Sequence, residues 1–339
     1  VVSGTGNITL VNTALGGSDN GQGITRLGAA NTFSGNATTT QNTGILSLGH
    51  VDALQNATLN TGLTGTQSVT FTATGTTYNI GAITGSDALS IGANTINVGN
   101  KAGSSSFGAD ITGTGGLTKT GSSSTQTLTA ATSYSGATSI TGGTLSLTGT
   151  GAVNSSSGIT INGSTAKLLH TASSAISPVV TVTQGTITGS GTVNTVNVEA
   201  GTGGIISNND GVAGAALTIG NLTLAGGANI NLFSNSTSAP LVVTSALTTG
   251  ATPATITANN ASGWINGTTY NLINYGSLAG SGNNFSQAVN NLSARQNATW
   301  GDTGSAIQFT VNGDNPRWMG DTDGNWNLTT TNNWKLVTG

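Results

Sequence analysis

Residues 115–149 read "GGLTKTGSSSTQTLTAATSYSGATSITGGTLSLTG". Short bursts in which Leu or Ile alternates with Thr or Ser are cut by Gly-Gly and Ser-Gly, the period-2 signature of half-buried strands between turns. An earlier stretch, "GITRLG…NTFSGNATTTQNTGILSLG" over 23–49, echoes it. Ile24-Thr25-Arg26-Leu27-Gly28 answers Leu117-Thr118-Lys119-Thr120-Gly121. Phe33-Ser34-Gly35 answers Tyr134-Ser135-Gly136, and Leu46-Ser47-Leu48 answers Leu145-Ser146-Leu147. Strand–Gly–strand units that cannot each bury a face alone predict stacking along an axis.

The same bursts recur along the chain, in "NITLV" (7–11), "QSVTFTATG" (67–75), "NTINVG" (94–99), "VVTVTQG" (179–185) and "LTIGNLTLAGG" (217–227). No window carries a helical apolar stripe; the nearest, "SQAVNNLSARQ" (286–296), would make two or three turns at most. The chain is therefore read as all-β.

Composition agrees and narrows the function. Of 339 residues only 17 are charged, 7 Lys or Arg and 10 Asp or Glu, and 53 are Gly. Disorder favours high net charge, whereas here the net charge is −3 and β-branched residues abound. Cysteine is absent, which excludes a disulfide scaffold, a thiolate metal site and a Cys nucleophile. Seven scattered basic residues give no electrostatic footprint for nucleic acid, and no apolar run is long enough for a membrane-spanning helix. The first residues, "VVSGTGNITL", already have strand character without an initiator Met, so a processed or excised piece of a longer polypeptide is expected.

The stretch 115–149 resembles the autotransporter-associated beta-strand repeat, with its G-G-L-T-K-x-G, T-L-x-L, Y-x-G-x-T and G-T-L-x-L segments. The copy at 23–49 lacks the middle strand and carries Arg26 in place of the Lys. "ITGSGTVNTVNVEAGTGG" (187–204) resembles the same family, and "GTTYNLINYGSLAGSGNNFS" (267–286) resembles the segment that closes such a solenoid. "WMGDTDGNWNLTTTNNW" (318–334) resembles its W-x-G-x-x-x-G-x-W…N-W junction. The resemblance implies large secreted or surface proteins and a right-handed parallel β-helix. On that reading, residues 1–275 form a solenoid stalk, and 276–339 a closing and Trp-rich junction segment. Each coil, of about 20–25 residues, would add a layer at about 4.8 Å.

Candidate chemistry is sparse. His50 and His170 are 120 residues apart and are read as solitary strand-edge residues without a carboxylate partner. Lys119, in "GTGGLTKTG" (113–121), belongs to a strand rather than a phosphate loop, since no helix follows. Asp321, Asp323 and Asn325 match positions 1, 3 and 5 of a calcium loop, but the sixth and twelfth places hold Trp326 and Asn332. An Asp/Gly/Asn turn is the better reading, and no metal or cofactor is expected. Asp314, Asp321 and Asp323, with Arg317 among them, are the closest approach to a catalytic cluster. Asn7, Asn36, Asn56 and Asn221 head N-x-T triplets that arise by chance in so Asn- and Thr-rich a chain.

Trp318, Trp326 and Trp334, eight residues apart, are expected to pack as a hairpin-like plug; with Trp264 and Trp300 they could instead stack on sugars. The expected function is structural and non-enzymatic: an extracellular or cell-surface β-solenoid. Its partner would be a second copy, head to tail, or a continuing chain, joined through Val1, Val2, Ile8, Leu10, Trp318, Trp326 and Trp334. An adhesin shaft that binds glycans or a host surface is the first alternative, and a polysaccharide lyase or hydrolase the second.

Overall fold

A computed structural model describes residues 1–10, 23–39, 44–62, 68–201, 203–210, 215–313, 315–318 and 334–337. It is all-β: stacked parallel strands form a β-solenoid of about 10 turns. One turn shows the plan. The strands Ile111–Gly113, Leu117–Lys119 and Ser124–Leu128 follow one another onto three faces. Above them, Leu117–Lys119 pairs with Thr138–Ile140, and residues 125–128 pair with Thr144–Leu147, all parallel.

Because pairing is parallel and in register, each inward side chain sits on its equivalent in the turn below. On the second face one such column runs Leu54, Ile80, Val98, Lys119, Ile140, Ile161, Val182, Val198 and Leu224. All nine are buried. Two residues earlier a second column runs Tyr78, Ile96, Leu117, Thr138, Ile159, Val180, Val196, Leu222 and Leu247. Stacked β-branched side chains fill such a narrow core without voids, which is why Val and Ile dominate it. The steps are not constant: 16 residues separate Val182 from Val198, and 31 separate Thr249 from Gly280, so the extra residues loop out at the corners.

Outward positions carry hydroxyls and amides that bond up the stack. Asn79 Nδ2 donates to Asp52 Oδ1 (2.6 Å), Asn97 Nδ2 to Asn79 Oδ1 (2.8 Å), and Thr120 Oγ1 to Asn97 Oδ1 (2.9 Å). Ladders of this kind, built mostly of amides and hydroxyls, keep the surface polar with few charges.

The internal repeat holds as a local corner, not as a coil. Phe33 and Tyr134 are both buried, and the Ser34 and Ser135 amides donate to Gly4 and Gly113 carbonyls (3.0 and 2.9 Å). Gly35 and Gly136 each lie against the preceding turn, where a Cβ would come within 2.1 Å of Gly6 O or 2.3 Å of Gly115 O. Yet Asn36–Thr39 belongs to the ladder that reaches residues 82–84, whereas Thr138–Ile140 belongs to the one that reaches residues 77–80. The matched strands Gly44–Leu48 and Thr144–Leu147 also fall in different sheets. The match of Arg26 to Lys119 is overturned. Ile24 (66 % exposed) and Arg26 point outward and Leu27 inward, so that strand sits one residue out of phase.

Gly136→Ala is expected to destabilise the fold by about 1–3 kcal/mol, because the methyl must displace backbone rather than a flexible side chain. Gly6→Ala, at a site with nothing within 4 Å of the added Cβ, serves as the control, and its thermal midpoint should be unchanged. Equal midpoints for the two variants would refute the close-approach argument.

Candidate functional site

The N-terminal end is an edge. Val1 is 92 % and Val2 39 % exposed, but the chain already follows the coil here, with Val2 N–H on Asn31 Oδ1 (2.8 Å) and Thr32 N–H on Val2 O (3.0 Å). Ile8–Leu10 pairs in parallel with Asn36–Thr39, and among the described residues nothing pairs with its other side. Ile8 packs partly on the core. Leu10 lies in the strand, and its side chain is outside the described residues.

At the other end the topology changes. The last parallel additions are residues 277–280 on residues 246–249 and Phe285–Val289 on residues 254–258. Ala306–Gly313 then runs antiparallel to the first half of Thr269–Gly280 and to Gln296–Asp302. This hairpin covers one face only. Its register sets Tyr270 opposite Phe309 and Trp300 opposite Phe309. Trp264 closes the group, edge-on to Tyr270 (4.8 Å between ring centroids) and to Phe309 (4.9 Å), while Trp300 lies 5.3 Å from Phe309. Trp264 is buried and its Nε1–H bonds Asn290 O (2.6 Å), so it offers no face to a sugar. Sequence reading missed Tyr270 and Phe309 as its partners; the alternation of "AIQFTV" over 306–311 was the available signal.

Asn315–Trp318 and Trp334–Val337 form an antiparallel pair in which Trp318 stands opposite Trp334 and Arg317 opposite Lys335. The side chains of these two strands lie outside the described residues, as do Trp326, Asp314, Asp321, Asp323 and Asn325 entirely. Among the described residues no group of three or more His, Asp or Glu could hold a metal ion.

His50 does have a carboxylate beside it, correcting the sequence reading. Its Nδ1 lies 4.0 Å from Asp52 Oδ2 and accepts the Asp52 N–H at 3.0 Å. Both are partly exposed on a turn, where this pairing holds the turn rather than a substrate. His170 is fully buried, under Gly189 and Gly191; a Cβ on Gly191 would come within 2.4 Å of its ring. Its Nε2 meets Thr192 O at 3.0 Å and must be the protonated nitrogen, since a carbonyl only accepts. Nδ1 is buried without a partner, and burial pushes the ring's pKa down.

Lys119 is the one cation in an aliphatic column. Its ammonium donates to Thr120 O, Gly121 O (3.3 Å), Gly142 O (3.2 Å) and Ser124 Oγ (2.7 Å). Gly121 (φ 74°) and Gly143 (φ 64°) shape that corner, and a Cβ on Gly143 would lie 2.7 Å from Nζ. These partners are uncharged, and desolvation pushes the pKa down to about 8. The lysine satisfies corner carbonyls that the turn leaves over, a structural task.

A surface groove of about 430 Å³ opens between Ser68–Phe71 and Leu89–Gly92. Val69, Phe71 and Ile91 are among its apolar lining and Thr70, Ser90 and Asn94 among its polar lining; none of these is titratable. A smaller one of about 160 Å³ lies beside Lys101, whose Nζ donates to Thr58 Oγ1 (2.7 Å). Comparison with protein-family models, with curated proteins and with solved structures found no match.

The two buried bases, Lys119 and His170, set much of the pH response. Unfolded Lys keeps its proton to about pH 10.5, whereas Lys119 releases it near pH 8. In between, the unfolded chain binds more protons, so stability rises with pH. Above about pH 10 the buried phenols of Tyr134 and Tyr275, both pushed up, reverse the slope. Urea midpoints should therefore climb from pH 8 to 10, and Lys119→Met should flatten that climb. A climb that persists in the variant would remove Lys119 as its source. On the acid side, an unfolded His gains a proton that His170 resists, so stability falls below about pH 6.5. His170→Leu should reduce the part of that fall between pH 6.5 and 5.

Proposed function

We propose that this chain is a non-enzymatic, extracellular building block of a bacterial surface fibre or sheath, joined end to end through its strands. The observation that carries this reading is that the strands stacked on one face begin with Ile8–Leu10 and end with Phe285–Val289. Each of these strands is paired on one side only among the described residues. A parallel edge presents N–H and C=O groups spaced to receive another parallel strand, which is the chemistry of strand addition. Since the two edges lie at opposite ends of the same face, a second copy, or a further block of the same chain, would continue the stack head to tail. Such a heterologous contact generates an open filament. The likeness to the autotransporter-associated repeat supports the same role and location, and so does a surface of hydroxyl and amide ladders.

Electron microscopy of the purified chain over a concentration series tests this. Filaments with an axial repeat near one solenoid length are expected. Successive N–H groups of a strand point to opposite sides. Proline placed at Ile8 or at Thr9 must therefore remove an outward donor in one of the two cases, and that variant should remain as dispersed rods. Rods at every concentration from the unaltered chain would refute self-assembly. If those rods bound immobilised glycans, the adhesin reading would replace it.

A further inference from the structure

We infer that the solenoid contains a built-in seam between residues 23–84 and residues 89–280, along which the two blocks part before either unfolds. On the first face, Gly23–Leu27, Gly44–Leu48 and Ser68–Phe71 form one three-stranded sheet, and Leu89–Gly92 with Ile111–Gly113 a separate two-stranded one. No register joins Ser68–Phe71 to Leu89–Gly92. On the third face, residues 82–84 close the lower ladder and Gly103–Phe107 opens the upper one. There the ladder narrows to one bridge, Gly85 to Phe107. Only the second face runs through, where residues 77–80 pair with residues 95–98. Both surface grooves open at this level, one on each interrupted face.

Side chains span what the backbone leaves open. Gln126 comes from the turn beyond Gly103–Phe107 and reaches past Ser105, which donates to its Oε1 at 2.8 Å. Its amide then takes the place of a strand: Ile83 N–H donates to Oε1 (3.0 Å), and Nε2 donates to Ile83 O (2.9 Å). Lys101 adds its bond to Thr58. Tyr78, at the head of the continuous face, packs edge-on against Phe71 (4.7 Å) and accepts the Ala73 N–H (2.9 Å), contacts that stay within the lower block. In a stacked architecture, stability is a sum of within-turn and between-turn parts, so the interface with the fewest pairings opens first. A pull along the axis, or mild denaturant, would act there.

Native-state hydrogen exchange on the whole chain, read by mass spectrometry, tests the seam. Peptides from 54–84 should exchange at least about ten-fold faster than those from 138–182, with the change occurring as a step near 85–88. Fraying from the end would instead give a gradual slope. Gln126→Leu should speed exchange within 77–85 and 103–108 and leave 159–224 unchanged. Equal protection on the two sides overturns the seam, as does a smooth gradient. A Gln126→Leu effect spread evenly along the solenoid, or no effect, overturns it too. Should that variant not fold, urea unfolding of the unaltered chain decides: two transitions support the seam and one overturns it.

Discussion

Parallel strands stacked at about 4.8 Å, each inward side chain directly above its equivalent, form the constraint on which everything else depends. The core is a set of columns one side chain wide, so every position answers to the residues one turn above and below it. The result is a sequence poor in aromatics, rich in Val, Ile, Leu and Thr, and marked by Gly wherever one turn's corner meets the next. Gly136 against Gly115 O is that requirement in its plainest form. Burial of small side chains supplies the drive, while the ladder of backbone bonds sets the register.

The same constraint explains the polar residues inside. Where turns change length or direction, carbonyls and amides lose their strand partners, and leaving them bare in the core is costly. Lys119 gathers the surplus carbonyls of a corner, and Gln126 imitates a strand for Ile83. Asn208 does likewise for Phe233, accepting its N–H (2.8 Å) and donating to its carbonyl (2.9 Å). Each is a local repair. Lys119 and His170 add a dependence on pH to theirs, because the group that fits the space can also change charge.

A stack also has ends, and this one treats them differently. Trp264, Tyr270, Phe309 and Trp300 build a small core of their own under an antiparallel hairpin, which closes one face of the last turn. Among the described residues, Ile8–Leu10 and Phe285–Val289 keep one-sided edges on a face the hairpin does not reach. An interior interruption near residues 85–88 makes the solenoid a pair of blocks with unequal coupling.

The sequence alone determined the class of the fold. Alternation of apolar and hydroxyl residues with Gly at the breaks is a local property of a strand and its turn, and it was legible throughout. Local too is the corner shared by Phe33-Ser34-Gly35 and Tyr134-Ser135-Gly136, in which the structure repeats the buried ring, the serine amide bond and the close approach of the glycine to the preceding turn. What the sequence could not fix is the face on which a corner falls, since that depends on the summed lengths of the turns before it. For that reason the matched copies hang on different faces, and Arg26 points to solvent where Lys119 is enclosed. The burial of Trp264, the reach of Gln126 and the seam it spans were likewise decided by tertiary structure. Each is a contact between turns, set by stacking rather than by any residue's immediate neighbours.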